Sequence, residues 1–534
     1  MFQDTTPSSQ QNYAARITAS SPMVSPRLGT QPTMASKQTS QSSSSSQAPM
    51  TYIPPLCDGA CGTLPRAQQP LGAVLRQELA QAAQALPKLG WAMFTRPGGR
   101  SWRDMVDMAM HTLLACAEMC MLVVAVPLWM MLPGAMFAAW MGFCAIVVAS
   151  MCRMLNGRGQ LHQCAAGSEG WMMGQDGDDE KWLFVGGMGM SARYCHRTTL
   201  PMLAKLFSRP MTCVCVPTMG LPFDMIAMML QRCMLLPSQA RRSLYTQMRC
   251  ALLDDSMRRC VVLCHNHSAI IVSQAASQLC ADLPAEKLCK LEIYTFGAAA
   301  CEFVLPLGED NLQPEPAHPA DMSNEPHRGV HVEHFAMTDD PFAQLGVLQS
   351  VRKNMDGRFC GGVFIMNNNH QQGMANSNGA LPRPSSGIMM EDYLHALFPV
   401  QLLPQQPNAR SALDAIMAID RDCAEKREIT AMSNYYTASR ARKDSGSKRL
   451  SWTGLAAAAT ANGAHGHQKN GVSAGMVGLE MARKGCKNCD GHRGREVSWL
   501  VRYVAIGQIG DNVCVPRGLA ESSVSSSPGS DDVK

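Results

Sequence analysis

One stretch of this 534-residue chain has no charged side chain over 34 consecutive residues, from Met119 to Cys152. A single helix crosses the hydrocarbon core of a bilayer with about 20 apolar residues, so the stretch is too long for one crossing. The ten residues from Met108 to Ala117 precede it, interrupted only by His111 and followed by Glu118, and they add enough length for a second crossing. The core of a soluble domain rarely contains so long an uncharged segment. The stretch therefore predicts a membrane hairpin over about 108–152.

The positions of the chain-breaking residues define two helices, about 108–130 and 134–152. Pro127, Pro133 and Gly134 mark the reversal, because proline and glycine disfavour a continuing helix. The cationic residues that flank the hairpin are Lys88, Arg96, Arg100 and Arg103 before it and Arg153 and Arg158 after it. Under the positive-inside rule, both flanks face the cytosol and Pro133 lies at or near the far side. Glu118 leaves a second arrangement open, a single-span anchor with a re-entrant piece.

Composition narrows the class of protein. Charged residues make up 17% of the chain, against about 25% in an average soluble protein. The net charge is only +5, which gives no reason to expect nucleic acid as a partner. The 22 cysteines are scattered and not clustered in a short scaffold, which is typical of reduced intracellular thiols. We therefore expect an intracellular membrane protein and leave the organelle open.

Changes in composition along the chain predict seven segments. They are a disordered Ser/Gln/Pro-rich region (1–75), a cytosolic juxtamembrane segment (76–107), the transmembrane hairpin (108–152), an α/β domain (171–433), a flexible linker or insertion (434–478), a C-terminal motif that packs on the domain (479–512) and a disordered tail (513–534). The disordered assignments follow from a shortage of apolar residues that could offset chain entropy.

The domain after Trp171 alternates short apolar runs with helical stretches. The six predicted strands are Lys181–Val185, Met211–Val216, Arg259–Cys264, Leu291–Phe296, Val330–Ala336 and Phe359–Met366. Continuous apolar strands separated by helices predict an α/β fold with a mostly parallel sheet, covered on both faces.

The third of these strands runs directly through His265-Asn266-His267-Ser268 into a helix. Hydrolases of the α/β class place a nucleophile elbow, usually G-x-S-x-G, at such a turn. The segments Val261–Ile271 and Leu291–Gly297 resemble an uncharacterised fungal family of α/β-hydrolase-like (lipase/esterase-like) membrane proteins, whose elbow reads about H-S-Q-G-G-I-I. The resemblance spans roughly 180–400 and 480–505. Its further blocks are Phe184–Gly187, Arg209-Pro210, Pro222–Asp224, Gln231-Arg232, Val332–Ala336, Gly346–Leu348, Tyr393-Leu394, Phe398-Pro399 and Ala482–Tyr503.

The resemblance implies an α/β-hydrolase-like sheet and assigns three site positions. Asn266 stands where the family has its nucleophilic serine, and an amide cannot form an acyl-enzyme. Asp340 matches the acid position. The family's histidine run is replaced by a segment with Ile388 and Asp392 in place of the imidazoles. We therefore expect a pseudoenzyme that binds a lipid, an acyl ligand or a partner protein.

The alternative is a membrane-associated serine esterase or lipase with a non-standard site. Ser268 would be its nucleophile, with His265 and His267 beside it and His370 or His395 as the base. The plainer role of Ser268 is to cap a helix that starts at Ala269. His265 matches the family's histidine before the serine, a position that supports the elbow.

A glycine-rich loop follows the first predicted strand. Gly186 and Gly187 lie where such folds supply an oxyanion-hole N–H, and together with His267 they form the predicted ligand loop. Any tight turn after a strand could also use these glycines.

A second cluster lies near the C-terminus. Cys486, Cys489 and His492 have the spacing of half a zinc site, but no second C-x-x-C supplies the remaining ligand. Reduced thiols on a turn are therefore the favoured interpretation, no cofactor is expected, and zinc is the alternative.

Overall fold

The structure is a computed structural model. It describes residues 50–54, 102–157, 161–164, 179–234, 238–305, 330–355, 358–367, 388–402, 411–420 and 493–504, with isolated positions between 72 and 87 and between 423 and 427. The predicted linker 434–478, the tail 513–534 and the cluster Cys486, Cys489 and His492 lie outside the described residues.

A nine-stranded sheet organises the domain, in the order β2-β4-β3-β5-β6-β7-β8-β1-β9. The strands are β1 (Met50–Ile53), β2 (Leu161–Cys164), β3 (Glu180–Val185), β4 (Met211–Val214), β5 (Arg259–His265), β6 (Leu291–Phe296), β7 (His331–Met337), β8 (Gly362–Met366) and β9 (Met417–Ile419). Neighbours from β4 to β8 are parallel, β2 is antiparallel to β4, and β1 is antiparallel to β8. This confirms the predicted α/β class with a mostly parallel sheet.

Helices connect and flank these strands. The two N-terminal helices are α1 (Trp102–Met131) and α2 (Gly134–Asn156), and the domain helices are α3 (Ala192–Tyr194), α4 (Leu200–Phe207), α5 (Leu221–Met234), α6 (Gln239–Leu253), α7 (Ser268–Asp282), α8 (Ala285–Leu288), α9 (Pro341–Leu345), α10 (Met390–Leu397), α11 (Pro399–Leu402) and α12 (Gly494–Val497). The central strands are buried along almost their whole length, because helices cover them on both sides. Their large buried side chains, such as Trp182, Phe296 and Phe335, form the core.

The six predicted strands are all present with shifts of a few residues at their ends. The prediction that disorder extends to residue 75 is wrong at β1, which pairs with β8 and β9 and buries Met50 and Ile53. Four residues inside a Ser/Gln/Pro-rich region are too few to show a strand period, so only the partner strands reveal this element. The edge strands β2 and β9 were missed for the same reason.

The hairpin has the predicted order of elements but different ends. The structure contains two helices long and apolar enough to span a membrane, Met105–Met131 and Gly134–Asn156. Pro127 lies inside α1 and does not take part in the reversal, which occurs at Leu132 and Pro133. A proline costs a helix one hydrogen bond but does not always end it.

The described part of the C-terminal segment, 493–504, lies against the amino ends of β6 and β7. Ser498 donates to a carboxylate oxygen of Glu333 (2.7 Å), and the Tyr503 hydroxyl donates to Glu292 (2.8 Å). The Trp499 ring stacks on His331 with 4.0 Å between centroids. These contacts tie the end of the chain to the central sheet.

Candidate functional site

The predicted site residues gather at the carboxyl edge of four adjacent strands. β3 is followed by Gly186 and Gly187, β5 by Asn266, β6 by Gly297, and β7 by the loop that carries Asp340. Because the strands are parallel neighbours in the order β3-β5-β6-β7, the segments that follow them meet at one edge.

Asn266 forms a sharp turn between β5 and α7. Its φ is +52°, in the left-handed region that asparagine tolerates better than other side chains that carry a Cβ. Its amide Nδ2 donates to the carbonyl oxygen of Ile388 (3.0 Å), and its backbone N–H donates to the carbonyl of Phe296 (2.8 Å). Asn266 is fully buried, and its Oδ1 accepts no hydrogen bond from the residues that the structure describes. The side chain thus ties the turn to the segment before α10.

Asp340 caps α9 and faces the same point. Its Oδ1 accepts the backbone N–H of Phe342 (2.8 Å), and its Oδ2 accepts the Tyr393 hydroxyl (2.6 Å). That hydroxyl in turn accepts the backbone N–H of Met337 (3.1 Å). Burial raises the pKa of Asp340 to about 7, although the hydrogen bond from Tyr393 opposes the rise. The acid is therefore substantially protonated near neutral pH.

Gly297 shows how closely these groups converge. Its φ is +64°, and a methyl group added there would overlap Asp340 Oδ2. The same methyl group would lie 2.8 Å from Asn266 Oδ1 and 3.0 Å from the Tyr393 hydroxyl. Three polar side chains therefore surround one small volume that only glycine leaves free.

Ser268 does not have the predicted geometry of a cap. Helix α7 begins at Ser268 itself, and the hydroxyl accepts the backbone N–H of His265 (2.9 Å). The hydroxyl also lies within donating distance of two carbonyl oxygens, those of His265 (2.7 Å) and Val185 (2.9 Å). Ser268 is fully buried, so its hydroxyl bonds the turn to β3 and has no solvent-facing side.

The two histidines of the turn point to different surroundings. The buried His265 ring lies edge-on to Tyr393, with 6.2 Å between ring centroids. His267 Nε2 is 2.8 Å from Gln231 Oε1 on α5, and burial lowers the pKa of His267 to about 4. Near neutral pH the imidazole of His267 is therefore uncharged.

The predicted glycine loop lies directly beside the turn. A methyl group at Gly187 would be 2.9 Å from His265 Nδ1, whereas one at Gly186 would meet only Cys195 Sγ, at 4.0 Å. The backbone of Gly187 therefore approaches the end of β5 closely.

Sequence reasoning did not identify Tyr393 or Gly297 as site residues. Gly297 directly after an apolar strand was the available signal, because a strand end with glycine often permits close approach of another group. Tyr393 offered no local signal, since 53 residues separate it from Asp340 along the chain.

The structure describes only one of the two proposed bases. His395 lies on α10, and the other proposed base, His370, is outside the described residues. Within the described ranges, no group of three or more His, Cys, Asp or Glu side chains is arranged to hold a metal ion.

Comparison with known proteins adds no relative from which a role could be taken. The chain matches no protein-family model, no curated protein and no solved structure. Function is therefore inferred from the sheet edge and the hairpin alone.

Proposed function

We propose that this is a membrane-anchored α/β-hydrolase-like protein that has lost catalysis and acts by binding a lipid, an acyl ligand or a partner protein. The observation that carries the proposal is Asn266. It occupies a strained strand-to-helix turn where a hydrolase needs its nucleophile, and its amide is bonded to the backbone of Ile388.

Three features of the sheet edge support a hydrolase-like origin. Nucleophile elbows are strained turns between a parallel strand and a helix, which is the geometry of Asn266. The glycine loop after the neighbouring strand β3 has the position of the loop that supplies an oxyanion-hole donor. The order along the chain, position 266, then Asp340, then the segment from Ile388, is the order nucleophile, acid, base.

The chemistry of the same groups supports loss of catalysis. An amide cannot act as the nucleophile of an acyl transfer, and Asp340 is bonded to a phenol in place of an imidazole. Burial and the neighbouring Asp340 raise the pKa of Tyr393 well above the ordinary value for tyrosine. A phenol with so high a pKa cannot accept or release a proton at neutral pH as a general base requires.

The esterase alternative requires a reactive Ser268, which the geometry opposes. The hydroxyl is held among the backbone groups of β3 and β5 and has no access to solvent. Freeing it would break its hydrogen bond with the N–H of His265 and cost on the order of 1–3 kcal/mol.

The hairpin supports a role at a membrane. Its exposed residues are large and apolar, including Trp129, Met131 and Phe143. Cationic residues on both flanks favour an orientation with the domain on the cytosolic side of the membrane. A domain held there would meet ligands that enter from the lipid.

A fluorophosphonate probe, which labels reactive serines, tests the loss of catalysis. We expect no labelling of the detergent-solubilised wild type and labelling of the double variant Asn266→Ser/Ile388→His, which restores a serine at the turn and an imidazole on the segment that contacts it. The matched control is Asn266→Ala/Ile388→His, which should not be labelled. Labelling of the wild type that disappears in Ser268→Ala would instead establish the esterase.

A photo-activatable fatty acid tests the ligand. Irradiation of the membrane-bound full-length protein should crosslink the probe to peptides from the loop after β3 or from the start of α7. Crosslinks confined to the hairpin peptides would argue against an acyl ligand at the sheet edge and favour a protein partner.

A further inference from the structure

Helix α1 consists of two chemically different halves. Its first half, Trp102–Glu118, contains all of its ionisable acidic, basic and histidine residues, which are Arg103, Asp104, Asp107, His111 and Glu118. The second half, Met119–Met131, contains none. The uncharged run continues through the turn and along α2 to Cys152.

The first half of α1 packs on the domain. Asp107 accepts a hydrogen bond from Ser191 Oγ (2.8 Å), and α1 lies against α5. His111, Leu114 and Glu118 are buried, and their spacing places them on one face of the helix. At the C-terminal end of α2, Asn156 exchanges hydrogen bonds with the backbone of Thr218 (2.7 and 2.8 Å).

The hairpin beyond these contacts protrudes from the protein. From Met119 to Met154 no residue is buried, and the side chains of Trp129 and Met131 are 70% and 85% exposed. The two helices of the hairpin pack against each other. Water is therefore a poor solvent for its surface.

The protruding part of α1 is too short to cross a bilayer from that base. It comprises the 13 residues of Met119–Met131, or about 20 Å at 1.5 Å per residue. The hydrocarbon core is about 30 Å thick. Measured from Glu118, α1 therefore ends inside the core, whereas the 21 unburied residues Gly134–Met154 of α2 extend about 31 Å. The two legs differ in reach, so the side chains at the tip decide whether it enters water.

The tip of the hairpin is suited to hydrocarbon. From Val123 to Phe143 no side chain carries a charge, a hydroxyl or an amide. The Leu132 N–H donates to Leu128 (2.9 Å), and Pro133 has no N–H to satisfy. The Pro133 carbonyl accepts from Met136 (2.9 Å) and Phe137 (3.1 Å). These bonds satisfy part of the backbone at the reversal, and no polar side chain at the tip requires water.

We infer that the hairpin enters the lipid from one side only and ends among the acyl chains, so that Pro133 does not reach water on the far side. This rests on the membrane association proposed above and replaces the two complete crossings that the sequence suggests. The domain surface beside the hairpin then contacts the lipid headgroups. Its exposed apolar residues there are Met219, in the loop after Thr218, and Ile226, on α5.

Depth-dependent fluorescence quenching of the full-length protein tests the inference. A fluorescent amino acid is introduced at Met131, and the matched control carries it at Met154, at the base of the hairpin. Each protein is reconstituted into phosphatidylcholine/phosphatidylserine vesicles with doxyl groups either near the headgroup or near the end of the acyl chain. Iodide is then supplied on one side of the vesicle at a time.

We expect at least threefold stronger quenching of position 131 by the deep doxyl group than by the shallow one, and no quenching by iodide from either side. Position 154 should show the opposite doxyl preference and should be quenched by iodide from the side of the domain. Quenching of position 131 by iodide from the side opposite to position 154 would establish full crossing and overturn the inference.

Flotation of the same vesicles separates the two proposals. Protein that fails to float with lipid contradicts membrane association and with it the hairpin inference. Protein that floats, but whose tip meets iodide on the far side, retains membrane association and contradicts only the one-sided insertion.

Discussion

Buried carboxylates at the two ends of the central sheet have pKa values shifted in opposite directions. At the amino end, Glu292 on β6 is bonded to Arg502 and, through 2.8 Å contacts, to the hydroxyls of Tyr294 and Tyr503. Burial alone would raise the pKa of Glu292, but Arg502, Tyr503 and Arg259 outweigh it and lower the pKa overall. Glu292 is therefore ionised and held in place by cations.

At the carboxyl end, the donors to Asp340 among the described residues are all neutral. A phenol and backbone N–H groups bond to it, and burial raises its pKa to about 7. The comparison shows that neighbouring cations and hydrogen-bond donors, more than burial, decide whether an internal acid is charged. The amino end holds the C-terminal segment to the domain, whereas the carboxyl end keeps an uncompensated acid of the kind that functional sites contain.

The largest expected effect on stability comes from removing the cation that pairs with Glu292 at the amino end. Arg502→Met leaves Glu292 buried without its nearest cation, and breaking such a pair costs about 3 kcal/mol or more. Urea unfolding of the detergent-solubilised protein measures the loss. The matched control is Arg495→Met, whose partner Asp414 is more exposed, and which should cost less than about 1 kcal/mol. Equal losses in the two variants would contradict the comparison.

At the carboxyl end, replacing the buried acid should stabilise the protein, the opposite of the effect expected at the amino end. Wild-type Asp340 stays protonated in the folded protein up to about pH 7, whereas in the unfolded chain it ionises near pH 4. The folded state therefore binds more protons between these values, and the free energy of unfolding falls as pH rises through this window. Asp340→Asn lacks this term and keeps a capping side chain, so we expect it to be more stable than wild type by on the order of 2 kcal/mol at pH 8.

Unfolding at pH 5 and pH 8 provides the control for this prediction. The difference between Asp340→Asn and wild type should shrink at pH 5, where Asp340 is largely protonated in the folded protein. Buried His267 and His334 have lowered pKa values of about 4, which makes the protein less stable as pH falls below about 6.5. Both proteins carry these histidines, so their effect cancels. A pH-independent difference would contradict the raised pKa.

A smaller loss is expected from the serine that the esterase alternative requires. Ser268→Ala removes the hydroxyl that accepts the buried N–H of His265 and should cost about 1–2 kcal/mol. Ser273→Ala on the same helix removes only a bond to the carbonyl of Glu302 (3.0 Å) and should cost less. Thermal unfolding compares the two. An unchanged stability of Ser268→Ala would mean that the hydroxyl bonds to His265 and Val185 do not stabilise the fold.

The smallest expected effect on stability comes from backbone strain at Asn266. Asn266→Ala places a Cβ without a polar group in the left-handed region, whereas Asn266→Gly removes both the strain and the bond to Ile388. We expect the alanine variant to be about 1 kcal/mol less stable than the glycine variant. Denaturant unfolding of the pair measures the difference, and equal stabilities would show that the turn is unstrained.

Sequence patterns predicted the elements that carry strong local signals. The runs at β3, β5 and β6 are continuous and apolar, and glycine or polar residues end them, so their positions follow from local composition. The strand-to-helix turn at Asn266 was predicted for the same reason. The short strands β1 and β9 were not, because three or four residues carry no period and are stabilised only by their neighbours.

The sequence by itself determined the class of the fold, the long uncharged run and the absence of a serine at the turn after β5. Each depends on residue types and their spacing along one segment, which local propensity and hydrophobicity decide. Only the tertiary structure decided three contacts. Asn266 donates a hydrogen bond to Ile388, Tyr393 donates one to Asp340, and Asp107 in the first half of α1 accepts one from Ser191 of the domain. These contacts join residues between 53 and 122 positions apart. Their formation depends on the summed packing of the whole sheet, which no local pattern encodes.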